Sequence, residues 1–198
     1  MMKNFRVVQP KDTQEILSIY QPYVEHTAIS FEYTTPDWTA FAHRIESISR
    51  EYPYIVCEQD QHVIGYAYAH RLMEREAYQW DAELSVYIHP DFLRCGIGSA
   101  LYGAVIEILQ MQNICNVYAG VTAPNEKSEK LHQALGFNIL GTYHRTGYKC
   151  GAWHDVIWFE KSICNKPSPP KPFMPIHQIK AHNIHAVLKK YTALINHE

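Results

Sequence analysis

The sequence predicts a mixed α+β fold in which helices are inserted into a mostly antiparallel β-sheet. Short stretches of alternating apolar and polar residues, such as residues 83–89, indicate strands. Other stretches have apolar residues three and four positions apart, which indicates amphipathic helices. The chain has 198 residues, of which 46% are hydrophobic and 19% are charged, so it can bury a core of ordinary size. This composition excludes a disordered or fibrous protein.

The first part of the chain is predicted to contain one strand, two helices and a hairpin. Asp12 or Thr13 can cap the first helix, whereas Pro22 argues against its later part. Pro36 precedes the second helix, which ends before Tyr52-Pro53. The predicted elements are a strand at 3–8, a helix from about 13, a helix at 37–50, and strands at 54–58 and 63–69 joined by a turn at 59–61.

The second part alternates strands and helices and contains the glycine-rich loop discussed below. Pro124-Asn125 marks a turn, and Gly136 ends the helix that follows it. The predicted elements are a strand at 83–89, a loop at 90–98, a helix at 99–112, a strand at 116–122, a helix at 126–135, and strands at 137–144 and 154–161.

The chain is predicted to divide into a core at 1–164, a linker at 165–175 and a tail at 176–198. The linker holds five of the eleven prolines, which favours an extended segment. In the tail, Ile184, Val187 and Leu188 begin an apolar helical face, as expected of a packing helix or a subunit contact. A dedicated binding tail is the alternative. The core up to residue 165 carries a net charge of -6 and the rest +4, which together give -2.

Composition and motifs exclude several classes of protein. The acidic core argues against nucleic-acid binding, and the absence of a long apolar run argues against a membrane protein. Without a secretory signal at the start, we expect a cytoplasmic protein. The five cysteines form no C-x-x-C pair and no H-E-x-x-H is present, so neither a metal site nor a disulfide framework is predicted. The cysteines are expected to be reduced and mostly buried.

The glycine-rich loop between the strand at 83–89 and the next helix is the most informative segment. Gly96 and Gly98 let a ligand approach the backbone, and the free N–H groups of a helix start attract an anion such as pyrophosphate. Neither the Rossmann pattern nor G-x-x-x-x-G-K-[ST] is present. A G-x-G loop alone is a weak signal, because turns use glycine freely.

This loop resembles the acyl-CoA loop of the GCN5-related N-acetyltransferase (GNAT) superfamily, in particular its phosphinothricin and methionine sulfoximine acetyltransferase branch. The resemblance covers about residues 3–161 in the family's order. Its other motifs are Ser30-Phe31-Glu32, Tyr52-Pro53, Gly65-Tyr66-Ala67-Tyr68-Ala69, Arg75-x-Ala77-Tyr78, Glu83-x-Ser85-Val86-Tyr87, Pro124-Asn125, Ser128-x-x-Leu131-His132-x-x-Leu135-Gly136-Phe137, and Gly147-Tyr148-Lys149-x-Gly151-x-Trp153-His154-Asp155-Val156.

The resemblance implies a sheet whose fourth and fifth strands splay apart, and an acyltransferase that uses acetyl-CoA as co-substrate. The acceptor amine would attack the thioester directly in a ternary complex, so a general base is needed. Glu83 stands at the family's position for the base. His132 is implied as a second catalytic residue; a half-buried structural histidine is the alternative.

The resemblance also implies two sets of binding residues. Backbone groups of Val86, Tyr87 and Ile88 would pair with pantetheine, and Asn125 would bond the same arm or simply cap its helix. The implied cofactor residues are Ser85, Val86, Tyr87, Ile88, Leu93, Arg94, Cys95, Gly96, Ile97, Gly98, Ser99, Asn125 and Ser128. The implied substrate residues are Phe31, Arg75, Tyr78, Lys149 and His154.

One position departs from the family pattern: Leu93 stands where Gln or Arg is usual, although Arg94 is next to it. The two hypotheses are that cofactor binding is weaker or that a neighbouring residue supplies the missing contact. An acetylated Cys95 or Cys150 is disfavoured, since no base in the nearby sequence marks either thiol as activated. The expected acceptor is the α-amine of a small amino acid of the phosphinothricin or methionine sulfoximine type, and a homodimer is expected. Alternatives are an N-terminal or peptide acetyltransferase and a catalytically idle acetyl-CoA-binding module.

Overall fold

A computed structural model describes residues 2–196, which form a seven-stranded open sheet with five α-helices on its two faces. The strands are β1 (Lys3–Val7), β2 (Tyr54–Gln59), β3 (His62–Arg71), β4 (Asp81–Ile88), β5 (Asn116–Ala123), β6 (Asn138–Lys149) and β7 (Ala152–Ser162). The helices are α1 (Thr13–His26), α2 (Trp38–Glu51), α3 (Ile97–Met111), α4 (Glu126–Ala134) and α5 (Ala181–Asn196).

The strands lie in the order β1-β2-β3-β4-β5-β7-β6, and β4 and β5 form the one parallel pair among the described strands. Their pairing covers three positions and ends where Glu83 faces Tyr118. Beyond this point the strands part, although β3 continues along β4 and β7 along β5. The mostly antiparallel sheet with splayed β4 and β5 confirms the predicted fold class.

Each face of the sheet carries its own apolar core, because side chains alternate along a strand. Helices α1 and α2 pack against Val56, Tyr66 and neighbouring side chains on one face, here called the α1–α2 face. On the other face, the α3 face, buried residues of α3 and α5 join a larger cluster that includes Leu84 and Phe159.

Helix α1 continues through Pro22, although the sequence argues against its later part. Pro22 removes one backbone donor, but Tyr20 and Val24 on either side of it are buried in the α1–α2 core. Burial of these two side chains holds the helix together where local propensity opposes it.

Helix α5 packs across α3 and the edge strand β1. The Asn196 side chain accepts from the Lys3 N–H at 2.9 Å and donates to the Lys3 carbonyl at 2.8 Å, and the Thr192 hydroxyl accepts from the Phe5 N–H at 2.9 Å. These side chains therefore satisfy polar groups that the edge strand would otherwise leave open. The division of the chain at residues 164 and 175 stays a prediction.

The cysteines differ from the sequence expectation. Cys115 and Cys164 form a disulfide with their Cα atoms 4.7 Å apart, so the expectation of reduced thiols is wrong for this pair. Of the other three, Cys57 is buried but Cys95 and Cys150 are exposed. The two bonded cysteines lie 49 residues apart and meet only because β5 and β7 are neighbours, which spacing alone does not reveal. None of the helices within residues 2–196 is long and apolar enough to cross a membrane.

Candidate functional site

A cavity of about 310 Å³ opens on the α1–α2 face beside the point where β4 and β5 part. Alternation along β4, β5 and β7 turns Glu83, Gly120 and Trp158 toward this face. Gly120 has no side chain to fill the space, so the floor of the cavity stays open. The lining residues are Ile29, Phe31, Glu83, Gly120, Thr122, Tyr143, Thr146, Val156 and Trp158.

Glu83, the predicted base, is the one carboxylate among these lining residues. Its side chain is 25% exposed and lies across the β3–β4 ladder from His70, with the His70 Nε2 3.9 Å from Glu83 Oε2. Burial raises the pKa of Glu83 above its ordinary value, and the charge of His70 opposes this rise. A raised pKa brings the carboxylate nearer to the basicity that proton abstraction at neutral pH requires.

Phe31 reaches the cavity from the loop between α1 and α2, and Gly147 provides the room for its ring. A Cβ placed on Gly147 would lie 2.3 Å from the ring of Phe31. The His154 ring packs beside Phe31 at 6.4 Å between centroids, and its Nε2 lies 2.9 Å from the Lys149 carbonyl. Of the predicted substrate residues, Phe31 lines the cavity, whereas His154 lies beside the ring of Phe31 and is not among the lining residues.

Lys149 anchors the same loop from inside the protein. Its ammonium is buried and donates to the carbonyls of Val24 and Ser30, each at 2.6 Å. Because both bonds hold the charged group within the protein, the Lys149 side chain is not among the groups that line the cavity. The Lys149 ammonium thus contacts the loop that carries Phe31, and its predicted contact with substrate stays a prediction.

An irregularity in β6 positions the outer wall of the cavity. The register with β7 shifts between Tyr143 and Gly147, and Arg145 within this bulge has a φ of 49°. Asp155 holds the bulge by accepting from the Arg145 N–H at 2.7 Å and by pairing with His144 at 3.1 Å. The bulge brings Tyr143 and Thr146 to the cavity.

Arg75 and Tyr78 lie outside the cavity. Both belong to the loop between β3 and β4, where a short 3₁₀ turn spans Glu76–Tyr78 and the Tyr78 N–H donates to the Arg75 carbonyl at 3.0 Å. Both side chains are exposed. The structure therefore does not bring these two predicted substrate residues together with Glu83 within one chain.

The glycine-rich loop leads into α3 and fits a pyrophosphate. Gly96 begins the helix with a φ of 70°, a conformation that suits glycine, and no side chain in the described residues caps the free N–H groups there. A Cβ on Gly98 would lie 3.9 Å from Val86 of β4 and 3.9 Å from Leu131 of α4, so the helix start lies beside both elements. The helix start and the neighbouring β4, which is unpaired with β5 beyond Glu83, together suit an elongated ligand with an anionic end.

Most of the other predicted cofactor residues lie in β4, in the glycine-rich loop and at the start of α3. Beyond its pairing with β5, strand β4 continues through Ser85, Val86, Tyr87 and Ile88. In the loop that follows, Leu93, Arg94 and Cys95 are exposed. Ile97 is buried at the start of α3, and Ser99 lies in the first turn of this helix. The carbonyl of Ile88 accepts from the Tyr23 hydroxyl at 2.6 Å, so the protein already engages it. Leu93 is 44% exposed, which places an apolar side chain at the surface of the loop.

Asn125 caps α4, as one of the two sequence interpretations predicted. Its side-chain oxygen accepts from the Ser128 N–H at 3.2 Å. His132, four residues after Ser128, is 2% exposed and packs against Tyr102, Phe137 and Phe159. These are α3-face residues, so the ring lies across the sheet from the cavity. Its Nδ1 lies 2.7 Å from the Ser128 carbonyl, and the catalytic assignment stays a prediction.

Sequence reasoning missed most of the cavity wall. Thr122, Tyr143 and Trp158 reach the site only through the register of β5, β6 and β7. His70 was also missed, although it follows the Gly65–Ala69 motif directly and alternates with Tyr66 and Tyr68 toward the α1–α2 face. Alternation from Tyr66 was the one signal that could have identified it.

Comparison with known proteins gives a consistent result. The family model described as an acetyltransferase (GNAT) domain matches residues 5–158. A phosphinothricin N-acetyltransferase of Streptomyces viridochromogenes is 33% identical over 168 residues, which are 85% of this chain and 91% of the relative. A methionine sulfoximine/methionine sulfone acetyltransferase of Salmonella typhimurium is 27% identical over 83% of this chain and 96% of its own.

Solved structures agree with these sequence relatives. A GNAT phosphinothricin acetyltransferase from Sinorhizobium meliloti, solved with acetyl-CoA, superposes with a TM-score of 0.81 at 30% identity, over 87% of this chain and 94% of that one. A ribosomal-protein-alanine N-acetyltransferase from Brucella melitensis gives 0.77 at 30% identity, over 80% and 98%. With the splayed sheet and the glycine-rich helix start, these matches show that the chain belongs to the GNAT acetyltransferase family.

Proposed function

We propose that this protein transfers the acetyl group of acetyl-CoA to the α-amine of a small amino acid of the phosphinothricin or methionine sulfoximine type. The observation that carries the proposal is the position of Glu83, whose carboxylate lines a cavity of about 310 Å³ beside the gap between β4 and β5. The names of the sequence relatives support the substrate class.

The chemistry needs one base and one bound thioester. The acceptor arrives as an ammonium ion and gives a proton to the Glu83 carboxylate, after which the free amine attacks the acetyl carbonyl carbon. The new C–N bond forms, the C–S bond breaks, and a second proton from nitrogen converts the thiolate of CoA to its thiol. The Gly96–Gly98 backbone would hold the pyrophosphate, and the β4 backbone beyond Glu83 would align the pantetheine arm.

The size and lining of the cavity support a small acceptor. Phe31 and Trp158 offer apolar walls to a short side chain, while Thr122, Thr146 and Tyr143 offer hydroxyls to a polar end. Neither Lys nor Arg is among the lining residues of the described chain, so the carboxylate of the acceptor needs hydroxyl groups or a cation from elsewhere.

A peptide or protein N-terminus is the second candidate acceptor, which the resemblance to the ribosomal-protein-alanine acetyltransferase favours. Thiol release from acetyl-CoA would be followed with methionine sulfone, methionine sulfoximine, phosphinothricin, an alanine-terminated peptide and a polyamine. We expect turnover with the amino-acid analogues. Turnover with the peptide alone would contradict the small-acceptor proposal, and acetyl-CoA binding without any turnover would favour an idle module.

We also propose that the chain is a homodimer whose second copy covers the β6–β7 hairpin. This hairpin is the edge of the sheet and exposes five large apolar side chains, namely Ile139, Leu140, Tyr143, Tyr148 and Trp153. Changing both Leu140 and Trp153 to Asp should give a monomer in sedimentation velocity, whereas the same change at exposed Met73 should not. An unchanged mass for the double variant would contradict this interface.

We place the enzyme in the cytoplasm, where acetyl-CoA-dependent biosynthesis takes place. Because disulfides are rare in reducing compartments, the Cys115–Cys164 pair gives this proposal a sharp test. Thiols would be alkylated in intact cells and the modified cysteines mapped by mass spectrometry. We expect both thiols to be alkylated in the cell, whereas protein purified without alkylation should contain the Cys115–Cys164 disulfide. A disulfide already complete in the cell would argue for an oxidising compartment.

A further inference from the structure

We propose that His70 takes the amine proton from Glu83 and passes it to solvent through a second cleft. This inference rests on the proposed function, since it assigns a partner to the base. His70 is a positioning residue in this scheme, because it acts on the acceptor only through Glu83.

The first argument is the place of His70 in the sheet. His70 and Glu83 face each other directly across the antiparallel β3–β4 ladder, so both side chains project to the α1–α2 face. Their Nε2 and Oε2 atoms lie 3.9 Å apart. Catalytic contacts are often this long without substrate and shorten in the reacting complex.

The second argument is the hydrogen bond on the other ring nitrogen. The Nδ1 of His70 lies 2.9 Å from the carbonyl of Arg71, and a carbonyl can only accept. Nδ1 therefore carries the proton in the neutral ring, and the lone pair of Nε2 is left on the side of Glu83. The ring is thus set to accept a proton from a protonated Glu83.

The third argument is the route that follows. Glu83 lines the acceptor cavity, whereas His70 lines a separate surface cleft of about 650 Å³ between α2 and the end of β3. An acceptor in the first cavity covers Glu83 from that side, so the proton needs an exit on the other. The titratable and charged groups around His70 are Glu83, Tyr68, Arg71 and Glu74 on or near the strands, and His43, Glu46, Arg50, Glu51 and Tyr52 across the cleft.

The protons balance. An ammonium acceptor and acetyl-CoA give an amide, a free thiol and one proton. The proton taken by Glu83 is this released one, and it moves from the Glu83 oxygen to His70 Nε2 and then to water in the cleft. The second proton from nitrogen stays with the sulfur of CoA.

Two variants separate a relay from a structural role. His70→Asn keeps an amide donor for the Arg71 carbonyl but has no base toward Glu83. We expect kcat for the best acceptor to fall at least about 10-fold at unchanged acetyl-CoA affinity. The acid limb of kcat/KM should move to higher pH, because the electrostatic interaction with His70 that lowers the pKa of Glu83 is lost. A wild-type rate and pH profile in His70→Asn would overturn the proposal.

Chemical rescue provides the second readout. Added imidazole should restore activity to His70→Ala, because the cleft can admit an imidazole molecule. The restored rate should be proportional to the concentration of neutral imidazole. His43→Asn changes a histidine of the same cleft that has no contact with Glu83, and it should keep the wild-type profile. Failure of imidazole to restore a folded His70→Ala enzyme would overturn the relay. If wild type transfers acetyl groups and Glu83→Gln is equally active, the assignment of Glu83 as the base is wrong. This outcome differs from one in which only the His70 relay is wrong.

Discussion

At the scale of single residues, small positions decide the shape of the acceptor site. Gly147 lies so close to the ring of Phe31 that a Cβ at this position would overlap with the ring. Gly147→Ala should therefore push Phe31 off the cavity wall and raise the KM for the acceptor about 10-fold, equivalent to about 1.4 kcal/mol, with the Kd for acetyl-CoA unchanged. Initial rates with varied acceptor give the KM.

Gly141 offers a matched control on the same strand. A Cβ there meets nothing within 4 Å, so Gly141→Ala should leave the acceptor KM as in wild type. Equal KM values for the two alanine variants would contradict the role assigned to Gly147.

His132 should make the stability of the fold depend on pH. Burial lowers the pKa of His132 below its ordinary value of 6.5, and the Ser128 carbonyl opposes this shift. Below pH about 6.5 the unfolded chain binds a proton that the native state resists, so stability should fall as the pH falls through this value toward the lowered one. Urea unfolding at pH 7.5 and 5.5 measures the loss.

His132→Asn keeps a donor for the Ser128 carbonyl without a titrating ring. The variant should show a smaller loss of stability between the two pH values, while His185→Asn, at an exposed position of α5, should not differ from wild type. The same loss in wild type and His132→Asn would mean that another group is responsible. Because the His132 ring lies across the sheet from the cavity, we also expect His132→Asn to lower kcat less than Glu83→Gln does.

At the scale of elements, α5 protects the edge of the sheet. Thr192→Val combined with Asn196→Leu leaves three backbone groups of Lys3 and Phe5 without these partners and should cost about 3 kcal/mol of unfolding free energy, near 1 for each lost hydrogen bond. The open edge should also promote aggregation, measurable by light scattering. Lys189→Ala, at an exposed site on α5, is the control, and a double variant as stable as this control would contradict the capping role.

Most elements follow from periodicity, because each helix and strand buries one side against its core. The helix at 37–50 is found at Trp38–Glu51, and the hairpin at 54–58 and 63–69 at Tyr54–Gln59 and His62–Arg71. The continuation of α1 through Pro22 does not follow, since tertiary burial of Tyr20 and Val24 decides it. Local pattern cannot report contacts made between distant segments.

The sequence could predict those residues of the site that belong to local sequence motifs. Glu83, Phe31 and the Gly96–Gly98 loop stand in recognisable sequence patterns, whereas Trp158 and Thr122 enter the cavity only through strand register. Lys149 shows a second limit: a lysine in a substrate motif suggests an exposed charge, but here two carbonyls hold it inside. Whether a cation faces substrate or backbone depends on packing.

At the scale of the whole molecule, the Cys115–Cys164 bond closes the segment that contains β5, α4, β6 and β7. A cross-link between residues 49 positions apart lowers the conformational entropy of the unfolded chain and should raise the free energy of unfolding by about 4 kcal/mol. The double variant Cys115→Ser with Cys164→Ser should lose stability of this order in urea unfolding. Cys95→Ser and Cys150→Ser, at exposed free thiols, are the controls. An equal unfolding midpoint for oxidised wild type and the double variant would contradict this contribution.

Across the whole molecule, the net charge is negative although the proposed cofactor is an anion, so local groups must provide the binding. The overall charge is -2, yet the pyrophosphate would meet a helix start and the acceptor amine would meet Glu83. Ligand charge is therefore matched locally and not by the net charge of the chain.

The pH dependence of kcat/KM for wild type and Glu83→Gln, with methionine sulfoximine and acetyl-CoA, tests the central claim most directly. Wild type should lose activity on acidification with a midpoint above the ordinary glutamate pKa of about 4.3, because burial raises the pKa of Glu83. Glu83→Gln should be slower by about 10²- to 10⁴-fold and lack this acid limb, with acetyl-CoA affinity unchanged. A Glu83→Gln enzyme with the wild-type rate and pH profile would contradict the assignment of Glu83 as the base.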